Sequence, residues 1–324
     1  MFTSFNLLGM EFKNRILASP MLSNQANTDG TINAELIRHY LSLARQGVGM
    51  IIVESAYVAR QGRAHVTQLG ISDEEHLDGL EKLIKGLKKE GCVAGIRLVH
   101  SGAKTSEEIC GEQPVGPSVI SFGKDYDTSR EFDEGDCEEI RLFFTHAAER
   151  AEEVGFDFIE INASQNWLLD QCMLTRFNNR DDDYGIQSMP TRLKLTTDII
   201  QSIKQRVSKK MPISYYFTVH DKLEDNYTLE DLEEMITILA NSGVDIFHPV
   251  TIHVMNKFLE TDQSFLEWLS GRTKQCLLAE GNIKSPQVLK DIYALKIAQF
   301  YAIDRTLFSR PQWYQFLRKK MLTM

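Results

Sequence analysis

The stretch DCEEIRLFFTHAAERAEEVGFDFIEIN, residues 136–162, contains the three signals that decide the fold. Apolar residues recur at spacings of three and four across 136–154, which predicts an amphipathic helix. Gly155 follows as a helix stop. FDFIEIN (156–162) then reads as a strand with little alternation, as expected where both faces are covered and neighbours run parallel. The same unit recurs at LEDLEEMITILAN (229–241), Gly243 and VDIFHPV (244–250). Working outward, further strands are predicted at RILASP (15–20), GMIIVES (49–55), AGIRLVH (94–100), PISYYFTV (212–219), CLLAEG (276–281) and AQFYAID (298–304). Eight strands, each trailed by a helical pattern, predict an α/β fold: one (β/α)8 TIM barrel spanning 1–324. An open doubly wound sheet shares the alternation. The number of units, and the lack of a Gly-rich dinucleotide fingerprint after the first strand, favour the barrel.

Two long connections interrupt the rhythm, at 103–136 and 165–190, after strands 3 and 4. Both leave the C-terminal ends of strands, the face on which barrels place their sites. The first contains the turn-rich GEQPVGPS, and neither is of low complexity, so both read as ordered loops over a pocket.

A chain of 324 residues, 43% apolar and 25% charged, is in the range of folded globular proteins. Its net charge of −9 argues against nucleic acid as a partner. A local site for one phosphate remains compatible, because a few backbone N–H groups and one Arg suffice. Cys92, Cys110, Cys137, Cys172 and Cys276 form no C-x-x-C pair and read as buried thiols, not as a metal or cluster site. His248 and His253 lack carboxylates at ligand spacing, so no metal is expected. MFTSFNLLGMEFKNR does not read as a signal peptide and no long apolar run occurs, which predicts no membrane span and a cytoplasmic location.

Several motifs, in order along nearly the whole chain, resemble those of the Old Yellow Enzyme family. They are SPM (19–21), the Gln61-Gly62-Arg63 turn, His100-x-Gly102, GPS (116–118), AAERAEEVGFDFIEIN, NNRDDDYG (178–185), AEGNI (279–283) and IDRTLFSRPQW (303–313). The resemblance implies FMN at the C-terminal mouth of the barrel. It also implies NADH or NADPH as electron donor and a small-molecule acceptor, an activated alkene in the usual case. The tail Arg318 leaves open a homo-oligomer in which a neighbour lends an arginine to the site.

The resemblance also assigns site residues. Gly281 and Asn282 after strand 7, with Asp304 and Arg305 after strand 8, fall at the phosphate end. Arg suits bidentate phosphate contact, whereas Asp304 stands where the family has Gly and is repulsive unless it turns away. Ser19, Pro20, Met21, Leu22 and Ser55 line the flavin ring, with Leu22 replacing a polar residue. At the pyrimidine end, Arg97 replaces a Gln and Tyr216 replaces an Arg. Arg97 is therefore expected to supply the missing cation near the flavin. The competing arrangement is an inward Arg97 paired with Glu54 or Glu160.

The reactive centre departs furthest. Asn162, Gln165 and Trp167 occupy the positions of two substrate-binding donors and a proton-donating Tyr. The two amides can still donate hydrogen bonds, but an indole N–H has no useful acidity. Trp167 is left to stack on a flat ligand or to narrow the pocket. Ala103 stands where an Arg is usual, and Tyr57, Tyr184 and Tyr215 are the remaining candidates for an acid. The expected function is an FMN-dependent NAD(P)H oxidoreductase with an altered site. The alternative is a degenerate barrel that binds flavin or a flat ligand without efficient turnover. A barrel lyase or aldolase would need a Lys or metal at a strand end, and the strands supply neither.

Overall fold

The structure, a computed structural model, describes residues 1–18, 22–225, 227–259, 261–303 and 312–323. Eight parallel strands close into a barrel: β1 (Ile16–Ala18), β2 (Met50–Tyr57), β3 (Val93–Val99), β4 (Phe158–Ala163), β5 (Ile213–Thr218), β6 (Ile246–Val250), β7 (Cys276–Ala279) and β8 (Phe300–Ile303). Each strand pairs with its sequence neighbours, and β8 closes on β1. Helices α1 (Ala34–Arg45), α2 (Leu77–Lys89), α3 (Glu134–Val154), α4 (Lys194–Arg206), α5 (Leu229–Ser242), α6 (Phe265–Ser270), α7 (Pro286–Ala294) and α8 (Trp313–Thr323) alternate with the strands.

Local chemistry sets the helix ends. Asp133 and Thr228 accept the N–H of Asp136 and Asp231 in capping boxes at the starts of α3 and α5. Gly155 and Gly243 end the same helices at φ of 94° and 115°, a conformation that only glycine adopts without strain. The larger apolar cluster lies between the strands and this helical shell, and contains Ile96, Ile161, Tyr215 and Phe247 from the outward faces of β3 to β6.

The inward faces differ between the two ends of the barrel. At the N-terminal end Leu17, Met50, Val93, Phe158, Ile246, Leu278 and Phe300 pack together. A hairpin of Phe5–Leu7 and Met10–Phe12 covers them, stacking Phe5 on Phe12 and Phe12 against Phe300. Its turn is Leu8-Gly9, both at positive φ, as a two-residue hairpin requires. Farther along the strands the inward residues become polar. The register of β3, β4 and β5 aligns Arg97 with Glu160 and Glu160 with Ser214. It then aligns Asn162 and His248 with Tyr216.

Candidate active site

Arg97 lies buried inside the barrel. Its Nε donates to Glu160 Oε1 at 2.7 Å, and its guanidinium carbon stands 3.4 Å from the centre of the Tyr216 ring. Nη2 is also 2.7 Å from Glu160 Oε1, in an ion pair without a hydrogen bond. Glu160 further accepts from Ser214 Oγ at 2.8 Å and from His248 Nδ1 at 2.6 Å. His248 Nε2 lies 2.7 Å from Glu280 Oε2, one residue beyond β7.

Ionisation follows from these contacts. Burial alone would raise the Glu160 pKa, but Arg97 and His248 overcome it and hold the carboxyl well below the usual range. Burial likewise disfavours a charged His248, yet Glu160 and Glu280 raise its pKa overall. Ionised carboxylate oxygens only accept, so while Glu160 and Glu280 are both ionised the ring that bonds to both through its two nitrogens is an imidazolium.

Beside this group, Asn162 Nδ2 donates to Ser55 Oγ at 3.2 Å, and Asn162 Oδ1 accepts from the backbone N–H and hydroxyl of Ser164. A register shift falls between Val53 and Ala56 of β2, around Glu54. Glu54 accepts from Ser23 and from Tyr40 of α1. Arg97 is thus paired with Glu160, not with Glu54, and its charge is balanced where it stands.

The loop after β4 is tightly held. Gln165 and Asn166 adopt consecutive left-handed conformations, φ 57° and 60°, which cost non-glycine residues energy unless their surroundings impose them. Gln165 N–H donates to Thr218, its carbonyl accepts from Lys104 Nζ at 2.9 Å, and Asn166 is fixed by Asp170 and Gln171. Asp170 is itself paired with Lys222 at 2.9 Å, both side chains fully buried. Asn162 and Gln165 therefore differ: Asn162 is buried and satisfied within the barrel, whereas Gln165 is exposed on the loop. Trp167 is buried, its Nε1 has no hydrogen-bond partner, and Lys104 Nζ lies 5.7 Å from its ring.

Leu22 is 42% exposed. Gly281, at φ 142°, could carry no side chain, since a Cβ would fall 2.6 Å from the Thr251 carbonyl oxygen. Asn282 follows at φ 52° with a buried Oδ1 that has no partner. Ser19, Pro20, Met21, Asp304 and Arg305 lie outside the described residues.

The three tyrosines considered as acids are committed elsewhere. Tyr215 points out of the barrel, its hydroxyl on Met173 Sδ, and burial pushes its pKa well up. Tyr57 donates to the Asp29 carbonyl and meets His76, and Tyr184 packs on Phe132. His100 is buried between Gln61 and the Gly102 N–H, and burial lowers its pKa to about 3, which keeps it neutral. All five cysteines are free and buried.

Sequence reasoning missed His248 and Glu280 as members of the site. A signal was present, since a histidine in VDIFHPV and a glutamate in CLLAEG interrupt apolar strands. Their pairing depends on barrel register, which one strand does not reveal.

The donor set at the mouth fits FMN at its pyrimidine end. The flavin ring presents carbonyl oxygens there, and Arg97, a buried cation whose Nη2 has no hydrogen-bond partner, would suit one. Residues 1–323 match the NADH:flavin oxidoreductase / NADH oxidase family. The chain is similar to the NADH oxidase of Thermoanaerobacter brockii, 31% identical over 97% of this chain and half of that protein's length. It is also similar to an NADPH dehydrogenase of Geobacillus sp. (strain WCH70), 30% identical over 100% of this chain and 95% of the relative. The old yellow enzyme homologue from Zymomonas mobilis superimposes with a TM-score of 0.85 at 19% identity, covering 98% of this chain and 92% of that one, a likeness of fold. With the barrel, the pyrimidine-end donors and the whole-chain match together, the chain belongs to the NADH:flavin oxidoreductase / NADH oxidase family of Old Yellow Enzyme type, whose cofactor is FMN.

Proposed function

We propose that this chain is an FMN-dependent NAD(P)H oxidoreductase that passes electrons to a small-molecule acceptor and reduces ordinary enones poorly. The observation that carries this reading is the pair of arrangements at the mouth. Arg97 is a buried cation against the Tyr216 ring, and Trp167, which the family resemblance aligns with the proton donor, is a buried indole whose Nε1 has no hydrogen-bond partner. FMN, when bound, supplies hydride chemistry at N5. Ser19, Pro20, Met21, Leu22, Ser55, Arg97 and Tyr216 would hold its ring, and Gly281, Asn282, Asp304 and Arg305 its phosphate.

The substrate-side residues carry the specificity. Asn162 is bonded to Ser55 and Ser164, so it braces the wall and lends less to a substrate carbonyl than a freely turning amide would. Gln165, exposed beside Lys104, is the better placed donor for an acceptor or for the nicotinamide carboxamide. Trp167 has no proton to give, and losing a positioned acid commonly costs about 10²- to 10⁴-fold. The second reading, a barrel that binds flavin without efficient turnover, is favoured by the same internal satisfaction of Asn162.

The deciding experiment is FMN titration of the purified protein followed by anaerobic addition of NADH or NADPH, observed by visible absorption. Uptake of FMN and bleaching by the nicotinamide support the oxidoreductase. Uptake without bleaching supports the second reading, and a protein that takes up no FMN contradicts both.

A further inference from the structure

The segment that follows β5 runs beside the β4 loop and bonds to it along its length. Thr218 Oγ1 accepts the Gln165 N–H at 3.2 Å. Lys222, on the short helix Val219–Glu224, donates from Nζ to Asp170 Oδ1 at 2.9 Å. Asp225 accepts the N–H groups of Thr175 and Arg176 and the Thr175 hydroxyl, and the Tyr227 hydroxyl donates to the Met173 carbonyl at 2.6 Å. Residues 218, 222 and 225 are spaced by four and three, so a helical path sets them on one side of the segment.

Asp170 joins this segment to the tip of the loop. Its Oδ2 accepts the Asn166 N–H at 2.9 Å while Oδ1 accepts from Lys222, and the side chains of Asp170 and Lys222 are fully buried. Gln165 and Asn166 need such a hold, because both adopt left-handed backbone without being glycine. Lys104 and Gln171 donate to the Gln165 and Asn166 carbonyls. The two N–H groups are held differently, Gln165 by Thr218 directly and Asn166 by Asp170 with Lys222 behind it.

Resting on the reading of Gln165 as a donor to the nicotinamide carboxamide, we propose that the segment from Thr218 to Asp225 is a clasp that fixes the pose of Gln165, with Lys222 its positioning residue acting through Asp170. Without the Lys222 ammonium, Asp170 is either ionised with one cation fewer in a buried setting, and drawn toward water, or protonated, and a weaker acceptor. In both cases Asn166 is released to relax from the left-handed region. The exposed Gln165 amide is then free to turn, and it must be ordered again when the nicotinamide binds, which weakens affinity.

Amide hydrogen exchange of the FMN-free protein reads the clasp without the cofactor. Lys222→Met should speed exchange at Gln165 and Asn166 by about tenfold or more, with β2 unchanged. No gain at those amides, or an equal gain in β2, overturns the proposal. In the FMN-loaded protein, the Kd of NADH or NADPH is taken from the concentration dependence of flavin reduction in stopped flow. Lys222→Met should raise that Kd about tenfold, as for the loss of one positioned hydrogen bond, while the Kd of FMN stays within about twofold. In a Gln165→Ala background the same change should raise it no further. An additive loss in the double variant, or a matching loss of FMN affinity, overturns the proposal, since a loosened barrel would produce both.

Should Lys222→Met fail to fold, Thr218→Val decides alone: faster exchange confined to Gln165 and Asn166 supports the clasp, and unchanged exchange overturns it. A local gain in exchange, in a protein that takes up no FMN or whose FMN no nicotinamide reduces, supports the clasp and faults the functional reading alone.

Discussion

The two ends of the barrel interior are built from the same strands by opposite chemistry. At the N-terminal end Phe158 of β4 lies over Gly95 of β3, where a Cβ would come within 2.3 Å of the ring, and the hairpin closes the layer. Two residues farther along the same strands, Glu160 and Arg97 face the same interior. The first layer gains stability from excluded water and close packing. The second sets charged groups in place, and such groups seldom stabilise a fold more than apolar packing would. The contrast separates the part of the barrel that folds the chain from the part that carries its buried charges.

That separation can be broken first at the apolar end. Phe158→Ala should cost about 3–5 kcal/mol by leaving a cavity, read from denaturant unfolding. A loss under about 1 kcal/mol would mean that the layer collapses around the gap.

At the polar end, Glu160→Gln should cost about 3 kcal/mol, because Arg97 and His248 would be left with one carboxylate between them. Replacing both partners, Arg97→Met with Glu160→Leu, should cost less than Glu160→Gln alone. If the double variant is the less stable, the pair supports the fold more than this account allows.

The smallest effect is in pH. The folded pKa of His248 is raised, so its contribution is complete below the unfolded value of about 6.5 and declines as pH rises above it. The stability difference between wild type and His248→Gln should therefore be flat below about pH 6.5 and shrink at higher pH. Glu160 is depressed, so its contribution is present above its unfolded value of about 4.3 and declines as pH falls below that. The difference between wild type and Glu160→Gln should shrink only under acid conditions. A difference that grows with pH for His248, or that fails to change at either end, would contradict the charge assignment.

Much of the barrel was legible because each strand carries its own apolar run and its own glycine-stopped helix. Strands 2 to 8 were placed within two residues, whereas the hairpin at Phe5–Phe12 was overlooked because two three-residue strands have too little periodicity to show. The site was less legible. Tyr215 stayed a candidate acid in the sequence although period-two alternation in ISYYFTV sends Ser214 and Tyr216 inward and Tyr215 outward, as the barrel register shows. The bond between Glu54 and Tyr40 falls at a register shift that no composition reveals. The bridge from Glu160 through His248 to Glu280 joins three strands and follows only from closure of the barrel. The motifs marked where the mouth would be, and only the register showed which charged groups meet there.

The most direct measurement follows the two half-reactions separately, by stopped flow, in the FMN-loaded protein and in Trp167→Tyr. On the proposed reading, reduction of the cofactor by NADH or NADPH needs stacking and hydrogen-bond donors, which the exposed Gln165 would supply. Alkene reduction needs a proton from the opposite face, which Trp167 cannot give. The account predicts measurable cofactor reduction in both proteins, slow reoxidation by cyclohexenone in the wild type, and a gain in Trp167→Tyr confined to that second step. Rapid cyclohexenone turnover by the wild type, or an equal gain in both steps, would contradict it.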